Sequence, residues 1–480
     1  MHKTLTFNGI RKPWLYLLEG RQKSPFAPVR NNLIRVNGMP GAYVASKETD
    51  VLYITQPIGF IVEDDKHALQ LKDELAEWLV TNEAVPLQFD DEPGRTYYAE
   101  IEGTIEDFSR FVDQRKGVLT FLCADPFSYG EEETVNFQND TVLIENKGTA
   151  EADPVFELEV LEPVTFAMVS NGTEYNMIGR PANIDDIPSQ KYESVFSTNA
   201  SSLVGWSTIP SGSTIDEGIV GGNMAVQGGY AFYAETFGTN PNGWVGPAVK
   251  RSLIRPVQDF RMTMDMALFN RQGNVGKIVV SLLDESDNVI ASVQMVDATN
   301  SAWRNRAIIR VGTANQGQDL INHAPERGGW NDFRGVLRIE RIGNEFKAYV
   351  ARVTDGRHHG RLNSQPYVDR LGEYSAKVAQ VRVYIAKARN YDPFPMYFHG
   401  GNVWEIHDLD SYEIPYIADE GDIITFDHKE DEMYINGEPR KDLKTEFGGT
   451  YFKLAKGINN IAVMTEGAFN TSCKYRNKYR

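Results

Sequence analysis

The sequence is poor in cysteine, in net positive charge, in long apolar runs and in helical patterning, and each shortage closes off a class of protein. Only Cys123 and Cys473 occur in 480 residues. A chain with this much apolar content needs no disulfide framework, and neither cysteine stands in a CxxC or Cys/His ligand pattern. Two reduced thiols in a protein assembled in a cytoplasm are therefore expected, with no metal and no cofactor. Forty-nine basic residues against 66 acidic ones leave a formal charge of −17, which disfavours nonspecific binding to nucleic acid or an anionic membrane and favours solubility. No apolar run reaches the ~18 residues that cross a bilayer, and Met1-His2-Lys3-Thr4-Leu5, without a long apolar region or a cleavage-like site, leads to the expectation of neither a signal peptide nor an anchor.

Catalytic signatures are missing as well: there is no HExxH, Walker A, GxSxG or GxGxxG. His399-Gly400-Gly401 lacks an accompanying nucleophile elbow and reads as a turn before a strand. His358-His359, inside the basic stretch Arg357 to Arg361, reads as a solvated loop because no spaced carboxylate or cysteine accompanies it. Asp284 to Asn288 lacks the glycine and distal glutamate of an EF-hand loop and reads as a hairpin turn.

What is there is a pattern of short strands in a chain too long for one core, so about three domains are expected. Residues 1–130 hold several strands and one convincing helix, Lys66 to Thr81, with Leu71, Leu75, Trp78 and Leu79 on one face and Asp64-Asp65 as its cap. The strand Tyr97 to Ile105 follows, while the Pro-containing segment Arg21 to Arg30 is expected to resist ladder pairing. Residues 131–189 give about half of a β-sandwich, and 411–480 give the other half. In the second half Ile424 and Phe426 alternate with polar neighbours, Asn436-Gly437 forms a tight turn, Tyr451 to Leu454 and Ile461 to Met464 are strands around Lys456 to Asn459, and a basic strand runs from Cys473 to Arg480. The two halves are expected to pair into one discontinuous domain.

Residues 190–410 differ in texture, being rich in Gly, Ser, Asn and Trp, with strand-like runs such as Phe260 to Leu268, Val289 to Val296, Arg306 to Val311 and Val378 to Ala386. Many strands and no helix predict an inserted sandwich of jelly-roll type. The fold class expected is thus mainly β: an α+β amino-terminal domain, a discontinuous sandwich and an inserted one. Aromatics in polar, Gly-rich surroundings suit a saccharide, whose C–H faces stack on rings while its hydroxyls bind polar edges. The candidates are Trp244, Trp206, Tyr230, Tyr233 and Tyr391, with Trp244 preferred because Asn240-Pro241-Asn242-Gly243 should hold it at the surface. Trp303 and Trp330 adjoin strongly strand-like runs and are expected in the core. Paired carboxylates for glycoside hydrolysis converge only in space and leave a hydrolase reading open.

Several pieces at the two ends resemble one family. These are Leu18-Glu19-Gly20-Arg21, Glu77-Trp78-Leu79, Leu87-Gln88-Phe89-Asp90-Asp91-Glu92-Pro93 with Tyr97-Tyr98-Ala99, and Phe121 to Phe127. At the other end come Gly421-Asp422-Ile423-Ile424, Tyr434-Ile435-Asn436-Gly437-Glu438, Gly457-Ile458-Asn459 and Tyr475-Arg476. Together they resemble the siphophage distal tail protein family, called Dit. That resemblance implies a structural, non-catalytic protein of the virion tail tip, assembled in the host cytoplasm, whose amino-terminal domain closes a homohexameric ring and whose galectin-like sandwich projects from it. It also implies tail tube, tape measure and tail-associated tip proteins as partners. Some members carry a carbohydrate-binding module in the sandwich, so host cell-wall polysaccharide becomes a partner, with a tail-associated glycan hydrolase as the alternative.

Overall fold

The computed structural model describes residues 3–61, 65–103, 116–325 and 329–480, with the side chains of 65–69 and 72 outside that description. The architecture is mainly β. It divides into two compact units: Met1–Gly179 with Asp419–Met433 and Lys441–Arg480, and Arg180–Ala418 with Tyr434–Arg440.

In the first unit the helix Asp65–Leu79 turns Leu71, Leu75, Trp78 and Leu79 inward, as their spacing requires, and all four are buried. The Trp78 indole donates to the carbonyl of Phe7 at 3.0 Å and meets its ring edge-on at 6.1 Å, which ties the helix to the strand Leu5–Phe7. The helix stops two residues before the expected Thr81. The cap expected at Asp64-Asp65 and the end of the strand expected to reach Ile105 lie outside the described residues. Arg21 joins its neighbours in one network. Its guanidinium lies 3.9 Å over the Phe89 ring and donates to Asp91 and Glu92 at 2.7 Å each, while Lys23 and Tyr97 donate to Glu92 at 2.7 and 2.6 Å. Residues that carried the family resemblance in separate stretches of sequence thus form one ion-paired patch. The segment expected to resist pairing does pair: Gln22–Lys23 joins Leu52–Phe60, and Val29–Ile34 forms a hairpin with Tyr43–Thr49 in which every strand residue is exposed.

The end of the chain is structurally central. Phe469–Tyr479 lies between Ser128–Asn136 and Val155–Val160, and the latter pairs in turn with Ile423–Asp427. A four-stranded sheet, Thr141–Asn146, Gly457–Met464, Phe166–Ser170 and Tyr175–Gly179, again interleaves segments some 300 residues apart. Phe156, Leu158, Phe426, Leu454 and Cys473 are fully buried here, so neither half has a core without the other. Gly457 to Asn459 belong to a strand instead of the expected turn, and Leu454 contributes only an isolated bridge to Ala152.

The second unit is a sandwich. One sheet of nine strands includes Ala231–Thr236, Met396–Ile406, Phe260–Leu268, Phe333–Ile342 and Glu345–Thr354 in that order, and the other of ten includes Trp244–Gly246, Val378–Ala388, Gly276–Leu283, Val289–Asp297 and Arg306–Val311. Met262, Met264 and Met266 of one sheet and Ile278, Val280 and Leu282 of the other share one core between them, so the alternate residues face outward. The segments entering and leaving the unit run side by side, Ile187–Ser189 parallel to Glu413–Pro415, and the Ser189 hydroxyl donates to Glu413 at 2.7 Å. Asn436 and Gly437 adopt the left-handed φ of 51° and 75° that the expected Tyr434 to Pro439 hairpin needs.

Candidate functional site

On the nine-stranded sheet the outward row of Phe260–Leu268 is Arg261, Thr263 and Asp265, and that of Met396–Ile406 begins with Tyr397 and His399. His399 is not in a turn before a strand, as its sequence suggested, but in the middle of one. A register shift opposite Asp265 and Met266 makes a bulge there, and Gly400 and Gly401 take φ of 117° and 151°. A Cβ at Gly400 would stand 2.1 Å from the Thr198 carbonyl oxygen, and one at Gly401 would stand 2.3 Å from that of Thr263. Glycine is required at both, and the bulge re-aims His399.

The His399 ring stacks on Tyr230 with centroids 5.9 Å apart and planes 11° apart, Tyr397 lies tilted 6.2 Å from it, and Phe269 meets Tyr397 edge-on. Tyr230, held at the end of Gly228-Gly229, is about half exposed. Phe232 of the neighbouring strand is in the core opposite Phe398, so antiparallel alternation turns Tyr233 outward beside Tyr397. On the same outward row, opposite Gly400, Asp265 has a buried Oδ1 with no hydrogen-bond partner among the described residues. Burial lifts its pKa above the ordinary carboxylate value, although His399 and Arg334 oppose that rise. The far end of the same face is closed: Arg338 binds Glu438 at 2.8 Å, and Tyr349 shares a 2.9 Å hydrogen bond with His358. His358 is thus a half-buried strand residue, not part of a solvated loop, and burial holds its pKa below the usual imidazole value.

Two of the five aromatic candidates, Tyr230 and Tyr233, therefore meet on one face. Trp206 sits edge-on to Phe196 and Phe232 at 5.8 and 5.3 Å and packs on the core. Trp244 lies on the other sheet, half-buried, with the Lys277 ammonium 4.8 Å from its ring and Tyr384 in the same small cluster. Tyr391 follows the strand Val378–Ala388, its N–H bonded to Ala388. Trp330 is in the core as expected, but Trp303 is half exposed. Asp265, His399 and Tyr397 were missed, although the alternation of Tyr397, His399 and the Gly-Gly pair was available as a signal. Among the described residues Glu193, Glu405 and His407 could hold a metal by distance, but the Arg255 guanidinium already bridges both carboxylates at 2.5 and 2.6 Å. Asp284 to Asn288 is the expected turn, closed by the Asn288 carbonyl and by the Asp284 carboxylate.

A family model described as the phage tail protein RIFT-related domain matches residues 11–123. A distal tail protein of Bacillus phage SPP1 is 32% identical over 97 residues, which are 19% of this chain and 33% of that protein's length. The amino-terminal part of the chain is thus similar to siphophage distal tail proteins, and the match spans about a third of that relative's length. Among solved structures, the SPP1 Dit superposes on 38% of this chain and 75% of its own, at 19% identity and a TM-score of 0.33. The CBM2 module of an evolved Dit from Lactobacillus casei phage J-1 does so over 46% and 99%, at 16% identity and 0.40. A laminarinase from Rhodothermus marinus covers 45% and 98%, at 10% and 0.31. The likeness to distal tail proteins rests on the sequence matches and not on these superpositions, and the family-model match lies wholly in the first unit.

Proposed function

We propose that this chain is a structural component of a long non-contractile tail tip, closing a homohexameric ring between tail tube and adsorption apparatus, with residues 190–410 as an insertion that binds host-wall glycan without cleaving it. Residues 1–130 are the ring-forming domain in this reading, and 131–189 with 411–480 form a galectin-like sandwich. The assembly half is supported by the hairpin Val29–Ile34 and Tyr43–Thr49. It exposes Leu33, Ile34, Met39, Tyr43 and Val44 by half or more, and a two-stranded ribbon with such a surface is marginal in water without a partner. A ring supplies that partner from a second copy, since cyclic closure needs complementary faces on each subunit.

The observation that carries the glycan half is the stacking of Tyr230 on His399, with Tyr397 tilted beside it, on the outward face that also carries Asp265. Flat rings face the C–H side of a sugar, and a carboxylate acceptor awaits a hydroxyl. Hydrolysis needs a second carboxyl group about 5 to 9.5 Å away, whereas stacking a sugar on rings needs none. Light-scattering mass of the full chain tests assembly: a hexamer that Leu33→Asp with Val44→Asp reduces to monomer is expected, and a wild-type monomer at all concentrations overturns it. Pull-down on host walls tests binding, where Tyr230→Ala should weaken retention. Release of reducing sugar by the wild type would instead establish the hydrolase.

A further inference from the structure

The outer face of the ten-stranded sheet holds a second arrangement that the reading above does not use. Register aligns Lys250, Arg382, Ser281, Ser292 and Arg310 in one row across five adjacent strands. Over the middle of this row opens a cavity of about 1010 Å³, floored by Arg382, Ser281 and Ser292 and walled by the turns at Asp216, Asp287 and Asn315 and by Tyr374. Three cations of the face are matched by carboxylates: Lys250 by Asp287 at 2.5 Å, Lys277 by Asp216 at 2.6 Å and Arg310 by Asp319 at 2.5 Å. Arg382 is not. Among the described residues its one hydrogen bond is a 3.4 Å contact to the Ser281 hydroxyl and its Nε has no partner, and burial holds its pKa below the usual guanidinium value.

A buried guanidinium with unused donors is costly, and this fold knows how to avoid that cost. Arg341, wholly buried in the same unit, donates to the carbonyls of Gln258, Tyr374 and Ala376. Arg382, its Nε buried, lines an open cavity instead. We propose that the cavity is a second ligand site, taking an uncharged, hydroxyl-rich saccharide whose hydroxyl oxygens accept from Arg382 and whose hydroxyl hydrogens are given to the wall carboxylates. The walls select this chemistry. Asp216, Glu217, Asp284, Asp287 and Glu373 line the cavity and disfavour a free anion at Arg382, while Arg382 disfavours a cation. The floor is too polar for an apolar ligand, and the volume, at the upper end of the ~300 to 1,000 Å³ of small-ligand sites, suits a chain of several sugar rings. A glycan chain would then have two separate footholds on each copy, one per sheet.

The test uses the full chain and titration calorimetry with neutral oligosaccharides of three and four sugars in several linkages, and with inorganic phosphate as the anionic probe. Arg382→Gln removes the floor donor. Asn315→Trp, from an exposed turn, fills the cavity without touching the core and keeps the test open should Arg382→Gln misfold. Both are expected to weaken at least one neutral oligosaccharide about tenfold, as loss of a charged hydrogen bond does, while Tyr230→Ala leaves a cavity-dependent component. Sugar binding that Tyr230→Ala abolishes and Asn315→Trp spares would overturn the second site and leave the open-face reading standing. Binding of phosphate alone, or of no probe, overturns the proposal too.

Discussion

The two outer faces of the second unit leave opposite charges unsatisfied. On the nine-stranded sheet it is a carboxylate, Asp265, on the face that carries the rings of Tyr397, His399 and Tyr230; on the ten-stranded sheet it is a guanidinium, Arg382, at a cavity lined by carboxylates. Aromatic surroundings offer a sugar its stacking surface and need only one polar acceptor, whereas carboxylate surroundings offer acceptors in plenty and need a donor. The difference teaches that an orphaned group is informative only with its neighbours, because the same saccharide chemistry is served by inverse charge patterns.

The largest expected effect separates an arginine that belongs to the fold from one that does not. Arg341→Met removes a wholly buried side chain and strands the part-buried carbonyls of Gln258, Tyr374 and Ala376, at about 1 kcal/mol or more each, so a loss of about 4 kcal/mol and a steep fall in melting temperature are expected. Arg382→Met removes a poorly partnered charge and should cost less than about 1 kcal/mol. Equal losses would show that Arg382 is structural and would break the comparison. Next comes Trp244→Ala. With Lys277 over its ring and Tyr384 beside it, truncation should cost about 2 to 3 kcal/mol, toward the low end for a large aromatic because the ring is half-buried. Tyr230→Ala, at an exposed tip, should stay within about 0.5 kcal/mol. Thermal melts of the two variants in parallel decide which tryptophan or tyrosine a ligand can reach.

Strand existence was legible because burial alternates: Phe260–Leu268 and Arg306–Val311 appear with the bounds that the sequence suggested. The pairing of the carboxy-terminal strand into the sheet with Val155–Val160 was also foreshadowed, since each half alone had too few strands. The site was less legible. Tyr230 and Tyr233 were readable as aromatics in polar, Gly-rich surroundings, but the bulge that re-aims His399 beside Asp265 leaves no period in the sequence. Trp244 misled for a physical reason: its turn-rich loop is at the surface, yet Lys277, from a strand more than 30 residues on, covers the ring.

A smaller effect contrasts these unsatisfied groups with a matched one. Glu92 accepts from Lys23, Arg21 and Tyr97; burial works against its charge, but the hydrogen bonds from Lys23 and Tyr97 bring its pKa below the ordinary carboxylate value. A depressed native pKa contributes stability that is present above the unfolded value and is lost as pH falls through the native one. Glu92→Gln should therefore cost about 1 kcal/mol at neutral pH and nothing in acid, as melts across that range would show. A cost that persists unchanged in acid would mean the charge of Glu92 is not what matters.

The smallest expected effect runs the other way with pH. Asp265 has a native pKa above its unfolded value because burial penalises the charged carboxylate more than His399 and Arg334 favour it. Between the two values the folded chain holds more protons than the unfolded one, so stability falls as pH rises toward the native pKa and levels off beyond it. Asp265→Asn cannot ionise and should remove that slope, leaving the variant slightly more stable than the wild type at neutral pH. The same variant should bind glycan less well, because an amide is a weaker acceptor than a carboxylate for a sugar hydroxyl. Stability gained and binding lost together would mark Asp265 as a group kept charged for its ligand. Stability lost at neutral pH would instead make it a structural acceptor, and the face would keep its aromatic stack without its polar anchor.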